Sequence, residues 1–249
     1  MRKAILISAT FVLLLPVFAA AKDKPKEQKK PAAANQMVDS GSFGIFRGGR
    51  RVATETFQVK QNAGSSVTTS EIKTEDGSDV VENSELSMTA GGEIIKYLWR
   101  QTKPEKHEAV LEATDQVLVQ HITLDSKEDK NAAKDIPYLL SPTVPVLDDY
   151  FFVHRELLLW RYMGYACPDM NNCKLSKTQY QIIVPRQHSS AMVSLEFTGK
   201  EKVKLKGADT ELYHFLLHAD EVEWSLYLND QLNMVMVEIP SEQTEVLRD

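Results

Sequence analysis

Apolar and polar residues alternate in short runs along most of the chain. In the run from residue 222 to 228, for example, Trp224, Leu226 and Leu228 share one face, and more polar residues occupy the other. A period of two places one side of a strand on a core and the other side in water. Such runs, bounded by turn residues, predict about eleven antiparallel strands. The runs from which these strands are drawn lie at residues 42–47, 50–61, 65–75, 85–89, 93–102, 108–114, 116–124, 178–184, 191–198, 202–206, 211–218, 222–228 and 232–239.

Residues 147–165 interrupt this alternation and predict a helix. The segment is longer than a typical strand and apolar nearly all round, with Asp148 as the expected N-cap and Gly164 as the expected stop. Its few polar residues are His154, Arg155, Glu156 and Arg161. A helix that is apolar on most sides must be largely buried. We therefore predict a mainly β fold, in which a single large antiparallel curved sheet or unclosed barrel wraps one long buried helix.

The first residues predict export. Arg2 and Lys3 precede an apolar run over residues 4–18 and three small residues at 19–21, which is the layout of a signal peptide. The apolar run is shorter than the roughly 20 residues that span a bilayer, so no integral span is expected after cleavage. Residues 22–36 are rich in Lys, Pro and Ala and predict a disordered linker before a single domain at 37–249. We expect a periplasmic or secreted bacterial protein.

Charge narrows the set of partners. The whole chain carries a formal charge of -6, and because the first 36 residues contribute +5, residues 37–249 carry -11. Nucleic-acid binding requires a basic surface, so an acidic domain argues against a nucleic-acid partner. The sequence points to no particular protein partner.

Cys167 and Cys173 are the two cysteines of the chain. In an oxidising compartment, an even number of cysteines at short separation predicts a disulfide. The spacing differs from that of a CxxC redox centre, and a zinc site would need further ligands. Closing so short a loop contributes about 2–3 kcal/mol by the loop-entropy relation.

Metal-binding patterns are incomplete. His214 and His218 form an HxxxH pattern, but on the predicted strand they would lie about 13 Å apart, which is too far to share an ion. The charged segment 125–135 begins like a calcium loop and carries Lys130 and Ile136 where glycine and glutamate are needed. We predict no metal site there, and a loop or short surface helix instead.

Catalytic signatures are also missing from the sequence, which contains no GxSxG, HExxH or GxxxxGK[ST] motif. We predict no catalytic residue and no cofactor. His154 and Glu156 lie in the apolar segment, where burial would shift their pKa values. The simpler interpretation is that they face solvent or pair with Arg155 or Arg161.

Binding of an apolar ligand is the remaining candidate function. We expect Trp224, Leu226, Met234 and Met236 to line the concave side of the curved sheet, where soft Met side chains suit an adaptable apolar site. Curved sheets with an open mouth commonly hold hydrophobic ligands such as lipids. The alternative is that the helix at 147–165 fills this space.

The two ends of the domain carry a resemblance. Residues 43–57 form a strand, a glycine turn and a return strand that resemble the opening hairpin of uncharacterised secreted bacterial proteins, and residues 224–228, 235–240 and 245–249 resemble their ending. Those families are similar to the periplasmic lipoprotein-carrier (LolA-like) architecture. The resemblance implies a curved sheet over helix, an envelope role and an apolar cavity, and it transfers no catalytic residue.

Three functions follow from these observations. The first is a non-enzymatic exported bacterial envelope protein that binds or carries an apolar ligand such as a lipid, or contributes to envelope integrity. The second is an interaction or assembly module that pairs through an exposed strand edge. The third is a hydrolase whose site assembles only in space. An apolar interior would favour the first over the third.

Overall fold

A computed structural model describes residues 36–114, 117–124, 134–148, 150–167, 173, 177–219 and 221–249. The predicted signal peptide and all but the last residue of the predicted linker lie outside this part. The elements are β1 (Gln36–Arg47), β2 (Arg50–Gln61), β3 (Ser65–Thr74), β4 (Val81–Thr89), β5 (Ile94–Lys103), β6 (His107–Ala113), β7 (Leu118–Leu124), β8 (Lys134–Tyr138), α1 (Val153–Ala166), β9 (Thr178–Val184), β10 (Ser189–Leu205), β11 (Ala208–Ala219), β12 (Val222–Leu228), β13 (Met234–Ile239) and β14 (Thr244–Arg248). Two short 3₁₀ turns, Pro185–Gln187 and Pro240–Glu242, follow β9 and β13.

The strands form one antiparallel sheet in the order β8-β7-β6-β5-β4-β3-β2-β1-β14-β13-β12-β11-β10-β9. Strands adjacent in the chain pair with each other, with α1 interposed between the two edge strands β8 and β9. The two halves of the sheet join where the first strand meets the last, with Phe43 opposite Arg248 and Arg47 opposite Thr244. The sheet is therefore unclosed, and its centre is the pairing of the chain's first and last strands.

The sheet curves around α1. Residues from all fourteen strands belong to the same buried core as the helix. Laid flat, fourteen strands would extend for about 60 Å, whereas a helix of this length measures about 21 Å. Only a curved sheet brings every strand to this helix. Near the two edges, Gln120 Nε2 of β7 donates a hydrogen bond to the Pro185 carbonyl, just beyond β9, at 2.7 Å. The predicted fold class is confirmed.

The helix begins later than predicted, at Val153 instead of residue 147. The preceding residues run along the edge of β9, where Leu147 N–H donates to Ile183 O and Ile183 N–H donates to Pro145 O, both at 3.0 Å. Asp148 is not the N-cap, because it is buried and accepts a hydrogen bond from Tyr97 Oη at 2.5 Å. Hydrogen bonding to the edge of the sheet competes with helix formation here.

Several strand predictions also differ from the structure. β8 and β14 were not predicted, and β8 occupies the end of the segment expected to be a loop. β1 begins at Gln36, which pairs with Gln61, and β10 continues to Leu205 opposite β11. β8, β14 and the start of β1 have weak alternation of their own, and pairing with neighbouring strands supplies their hydrogen bonds. Residues 202–206, in contrast, alternate charged and apolar side chains, as expected for a strand. Among the described residues, α1 is too short and too polar to cross a bilayer, and no other helix qualifies.

Candidate functional site

A groove of about 570 Å³ lies between α1 and the inner faces of β1 to β4. It lies at the end of the sheet where β1 begins and where the β2–β3 and β4–β5 turns occur. Most of its lining is apolar, and its main apolar side chains are Val59, Leu86, Met88, Val146, Leu157 and Leu158. The helix therefore fills the interior of the sheet only in part.

Helical periodicity creates the α1 wall of this groove. His154, Leu157, Arg161 and Gly164 follow one another at spacings of three and four residues, so they share one side of the helix. Gly164 leaves space at the mouth, because a Cβ atom added there would meet nothing within 4 Å. The opposite wall comes from strand alternation, which turns Val59 inward from β2.

His154 provides a polar group at the groove. It is only 1% exposed, and burial, followed by the nearby Arg155 charge, lowers its pKa to about 3. The ring is therefore neutral at pH 7. Its Nδ1 accepts the Asp148 N–H at 3.3 Å, which places the proton on Nε2. Within the described ranges, Nε2 has no hydrogen-bond partner.

The groove also has a charged lining residue, Arg161, at its exposed side. Arg161 is solvent-exposed and donates from Nη1 to the Thr143 carbonyl at 2.5 Å. Gln61, at the end of β2, is also exposed and lines the groove. The groove is therefore mostly apolar, with the neutral His154 imidazole on its inner side and the Arg161 cation and the Gln61 amide at its rim.

Glu55 fixes the start of α1. Its carboxylate, projecting inward from β2, accepts the Phe152 N–H at 2.7 Å, the Val153 N–H at 3.3 Å and the Ser70 hydroxyl at 2.7 Å. Burial raises the pKa of Glu55 to about 7, although these hydrogen bonds and the Arg155 charge oppose the shift. A carboxylate at a helix N-terminus satisfies free backbone N–H groups and complements the helix dipole. Glu55 thereby sets the position of the helix against the sheet.

Arg155 lies across the helix from the groove, against aromatic rings. Its guanidinium carbon is 4.0 Å from the centroid of Trp224 and 5.0 Å from that of Phe152. Nη1 also donates to the carbonyls of Asp148 at 3.1 Å and Phe151 at 3.2 Å. These contacts join the first turn of α1 to β12.

Glu156 joins α1 to the central strands. Its Oε1 accepts the Met234 N–H at 2.7 Å and lies 3.4 Å from Nη1 of Arg248. The other terminal nitrogen of Arg248, Nη2, lies 2.5 Å from Asp39 Oδ1. Burial, followed by the nearby Asp39 charge, raises the pKa of Glu156 to about 8. The Arg248 guanidinium also lies 5.1 Å from the ring centroid of Phe57. His154, Arg155 and Glu156 are thus all buried, so His154 and Glu156 do not face solvent, and the arginine that pairs with Glu156 is Arg248.

The four residues predicted to bind a ligand do not share one face. Trp224, Leu226 and Met234 pack in the core around α1, whereas Met236 packs in a second cluster on the other face of the sheet. None of the four lines the groove. Contact of these residues with a ligand stays a prediction, but a common concave face that includes Met236 is wrong.

A β-bulge explains this division. Leu228 pairs with Met234 while its neighbour Tyr227 pairs with Met236, so Val235 is an extra residue on β13. An inserted residue disrupts the alternation of the strand on which it lies. The sequence pattern of β13, in which apolar residues occur at nearly every position, does not reveal it.

The two HxxxH histidines lie on β11, as predicted, and each has its own partner. His214 Nδ1 is 2.9 Å from Glu201, and His218 Nδ1 is 3.4 Å from Glu223. Across the part of the chain that the structure describes, no three His, Cys, Asp or Glu side chains are grouped to hold a metal ion. The start of the calcium-like segment at Asp125 lies outside the described residues.

Cys167 and Cys173 form the predicted disulfide, with an Sγ–Sγ distance of 2.14 Å. Because Cys167 directly follows α1, the bond lies at the C-terminal end of the helix. The prediction of the pairing is confirmed.

The sheet edges are the surfaces required by a strand-pairing function. Residues 145–147 cover part of β9, forming a parallel bridge between Val146 and Ile183. The other edge, β8, is short and contains Pro137, which lacks an N–H donor. A partly covered strand and a short proline-containing strand are poor templates for pairing with another chain.

The groove itself was missed by sequence reasoning. Its walls come from residues that are distant in the chain and that meet only after β1 to β4 have paired and curved. The local signal was the i, i+3, i+7, i+10 spacing of His154, Leu157, Arg161 and Gly164, which places polar and small residues along one side of an otherwise apolar helix.

No protein-family model matches the chain, and no curated protein matches its sequence. Among solved structures, the chain is similar to the crystal structure of a β-barrel-like protein of domain of unknown function DUF1849 from Brucella abortus. The identity is 8% and the TM-score 0.47, over 88% of this chain and 95% of that one. Similarity at this level does not bear on function. The lipoprotein-carrier resemblance therefore stays a prediction.

Proposed function

We propose that the protein is a non-enzymatic, exported bacterial envelope protein that binds an amphiphile, namely a lipid with an acyl chain and an acidic head group, in the groove beside α1. The observation that carries this proposal is the groove itself, an apolar space beside the buried helix that is open at one end of the sheet. The proposed site is this groove, which the four residues expected from the sequence do not line.

The volume and lining of the groove support an acyl chain as the ligand. A volume of about 570 Å³ falls in the range of roughly 300–1,000 Å³ that is typical of small-molecule sites. Leu86 and Val59 on the strands and Leu158 on the helix present aliphatic surface from both walls. An apolar chain gains free energy when such surface is removed from water. The mostly apolar lining favours binding over the hydrolase alternative.

The polar groups support an acidic head group. Arg161 lies at the exposed side of the groove, where a carboxylate or phosphate could approach its guanidinium without leaving water. Gln61 adds an amide donor at the same end. A ligand oriented in this way would place its chain along Leu157 and Leu158 and its head group at the rim.

Export is a part of the proposal that rests on two observations. The sequence layout of residues 1–21 is that of a signal peptide. The bond between Cys167 and Cys173 is of a kind that persists in oxidising compartments such as the periplasm.

A binding assay with a groove-filling variant tests this function. The probe is a long-chain fatty acid that carries an anthroyloxy fluorophore, and native mass spectrometry of protein purified from the cells that make it provides an independent readout. We expect saturable binding that unlabelled fatty acid reverses. In Gly164→Trp, the added side chain should fill the mouth of the groove and weaken binding about tenfold or more, which corresponds to 1.4 kcal/mol.

The matched control is Leu139→Trp, which adds the same side chain at a position that is 90% exposed and does not line the groove. This variant should bind the probe as the original protein does. Failure of the original protein to bind the probe, together with the absence of any co-purified lipid, would contradict the proposal. Equal binding by a folded Gly164→Trp variant would move the site away from the groove.

A further inference from the structure

A second cleft, of about 380 Å³, lies at the opposite end of the same strands. It adjoins the β1–β2 turn, whereas the groove adjoins the β2–β3 turn. Its charged lining residues are Arg47, Arg50, Arg186, Asp76 and Glu82. The groove and this cleft share no lining residue, so an inference about the cleft does not rest on the proposed lipid site.

Arg186 is held in place inside this cleft. Its Nη2 lies 3.2 Å from Glu82 Oε1, and its backbone N–H donates to Asp148 Oδ1 at 3.2 Å. Its guanidinium carbon is 4.8 Å from the ring centroid of Tyr150 and 6.0 Å from that of Trp99. A guanidinium fixed by an ion pair and two rings presents its remaining N–H groups in a defined direction.

One end of that guanidinium is unsatisfied. Nη1 of Arg186 is buried and has no hydrogen-bond partner among the residues that the structure describes. A buried cationic donor that lacks an acceptor is costly, because it has lost water without gaining a replacement. The rest of the Arg186 side chain lines the cleft and is 27% exposed overall, so an acceptor there approaches the guanidinium without reaching Nη1 directly.

Tyr150 adopts an unfavourable backbone conformation beside Arg186. Its φ angle is +69°, in the left-handed region that bulky residues rarely occupy. Such a conformation costs on the order of 1–3 kcal/mol and persists only where surrounding contacts maintain it. Here it accompanies a ring that covers the guanidinium and forms one wall of the cleft.

The charge of the cleft is opposite in sign to that of the domain. Three arginines and two carboxylates give it a formal charge of +1, whereas residues 37–249 carry -11. Arg47 and Arg50 flank the glycine turn, and neither forms a salt bridge with any described residue. The cleft thus carries a net positive charge within a net negative domain, which favours the approach of an anion there.

We propose that this cleft binds an oxyanion, which is the phosphate or carboxylate group of a small ligand. The Arg186 side chain, which is 27% exposed, donates to the anion, and Arg47 and Arg50 add charge at the mouth. Arginine suits this role because its planar donors match the oxygen spacing of both groups. The side chain of Tyr150 covers the bound group on one side.

Calorimetric titration with inorganic phosphate and, separately, with succinate tests the proposal and distinguishes its two oxyanions. Tryptophan emission, to which Trp99 contributes with its ring near Arg186, gives a second readout. We expect saturable binding of at least one of the two anions at constant ionic strength. Arg186→Lys keeps the charge opposite Glu82 but loses the planar donors, and it should weaken binding about tenfold or more.

Exposed arginines provide a variant that does not endanger folding. The double variant Arg47→Gln/Arg50→Gln should also weaken binding, whereas Lys60→Gln, which removes an exposed charge at the other end of β2, should leave it unchanged. An absence of binding by both anions overturns the proposal. It is equally overturned if Lys60→Gln weakens binding as much as the arginine variants, because the effect would then be one of overall charge.

Discussion

The first turn of α1 and the turns that follow it meet the sheet in different ways. In the first turn, His154, Arg155 and Glu156 are buried, although they are polar, and the sheet or its connecting loops supply partners for each. In the later turns, Leu157 and Gly164 face an open groove, although they are apolar or small. Whether a side chain of this helix is buried therefore depends on whether a partner is available for it, and not on whether it is polar.

This difference indicates a division of roles. Buried charged groups seldom add much net stability compared with apolar residues of the same shape, but removing one partner is strongly destabilising. Glu55, Arg248 and Asp39 therefore act mainly to specify where the helix lies. The position of the first turn determines how far the later turns lie from β2 and β4, and hence the width of the groove.

Arg248→Met gives the largest expected effect, because it leaves two buried carboxyl groups, Glu156 and Asp39, without their cation. We expect the free energy of unfolding to fall by about 3–5 kcal/mol, measured by equilibrium denaturation in urea. The matched control is Arg51→Met, whose ion pair with Asp249 at 2.7 Å is exposed. Exposed pairs contribute about 0–1 kcal/mol. Equal losses in the two variants would show that the buried cluster does not position the helix.

A pH dependence is the second expected effect. The pKa values of Glu55 and Glu156 are raised by burial from 4.5 to about 7 and about 8. In the interval between these values, the folded state binds more protons than the unfolded state, so the free energy of unfolding falls as the pH rises. His154, with its pKa lowered from 6.5 to about 3, acts in the opposite direction below pH 6.5. From pH 6.5 to 8, the carboxyl groups outweigh the residual opposite effect of His154, and we expect a net loss of about 2 kcal/mol.

The variant that tests this dependence is Glu156→Gln, which mimics the protonated carboxyl and keeps an oxygen for the Met234 N–H. Its free energy of unfolding should change much less between pH 6.5 and 8, as measured by urea denaturation at each pH. Glu71→Gln removes an exposed glutamate paired with Lys73 and should keep the full dependence. A Glu156→Gln profile as steep as that of the original protein would assign the titration to other groups.

Local alternation was sufficient to predict much of the sheet from the sequence. β2, β9 and β12 begin and end where the pattern places them, because turn residues bound each run and the inward residues have a clear period of two. The apolar segment also predicts α1 correctly inside the sheet. These predictions need only interactions between residues that are close in sequence.

The partners of the buried polar groups could not be predicted in this way. Glu55 is 97 residues from Phe152, and Arg248 is 92 residues from Glu156. A local pattern assigns an isolated charge in an apolar segment to the solvent side, because burial of a charge is unfavourable until a partner is known. The start of α1 and the groove depend on the same long-range contacts.

Gly164→Ala gives the smallest expected effect. Compared with alanine at position 92, it distinguishes the helical wall of the groove from the turn that faces this wall. Both Gly164 and Gly92 line the groove, and at both a Cβ atom would meet nothing within 4 Å, but Gly92 has a φ of +80° whereas Gly164 lies in α1. Alanine should therefore raise the free energy of unfolding by about 0.5–1 kcal/mol at 164 and lower it by about 1 kcal/mol at 92. Urea denaturation measures both. If alanine at 164 were destabilising, the last turn of α1 would not be helical, and the groove would lose the wall on which the binding proposal depends.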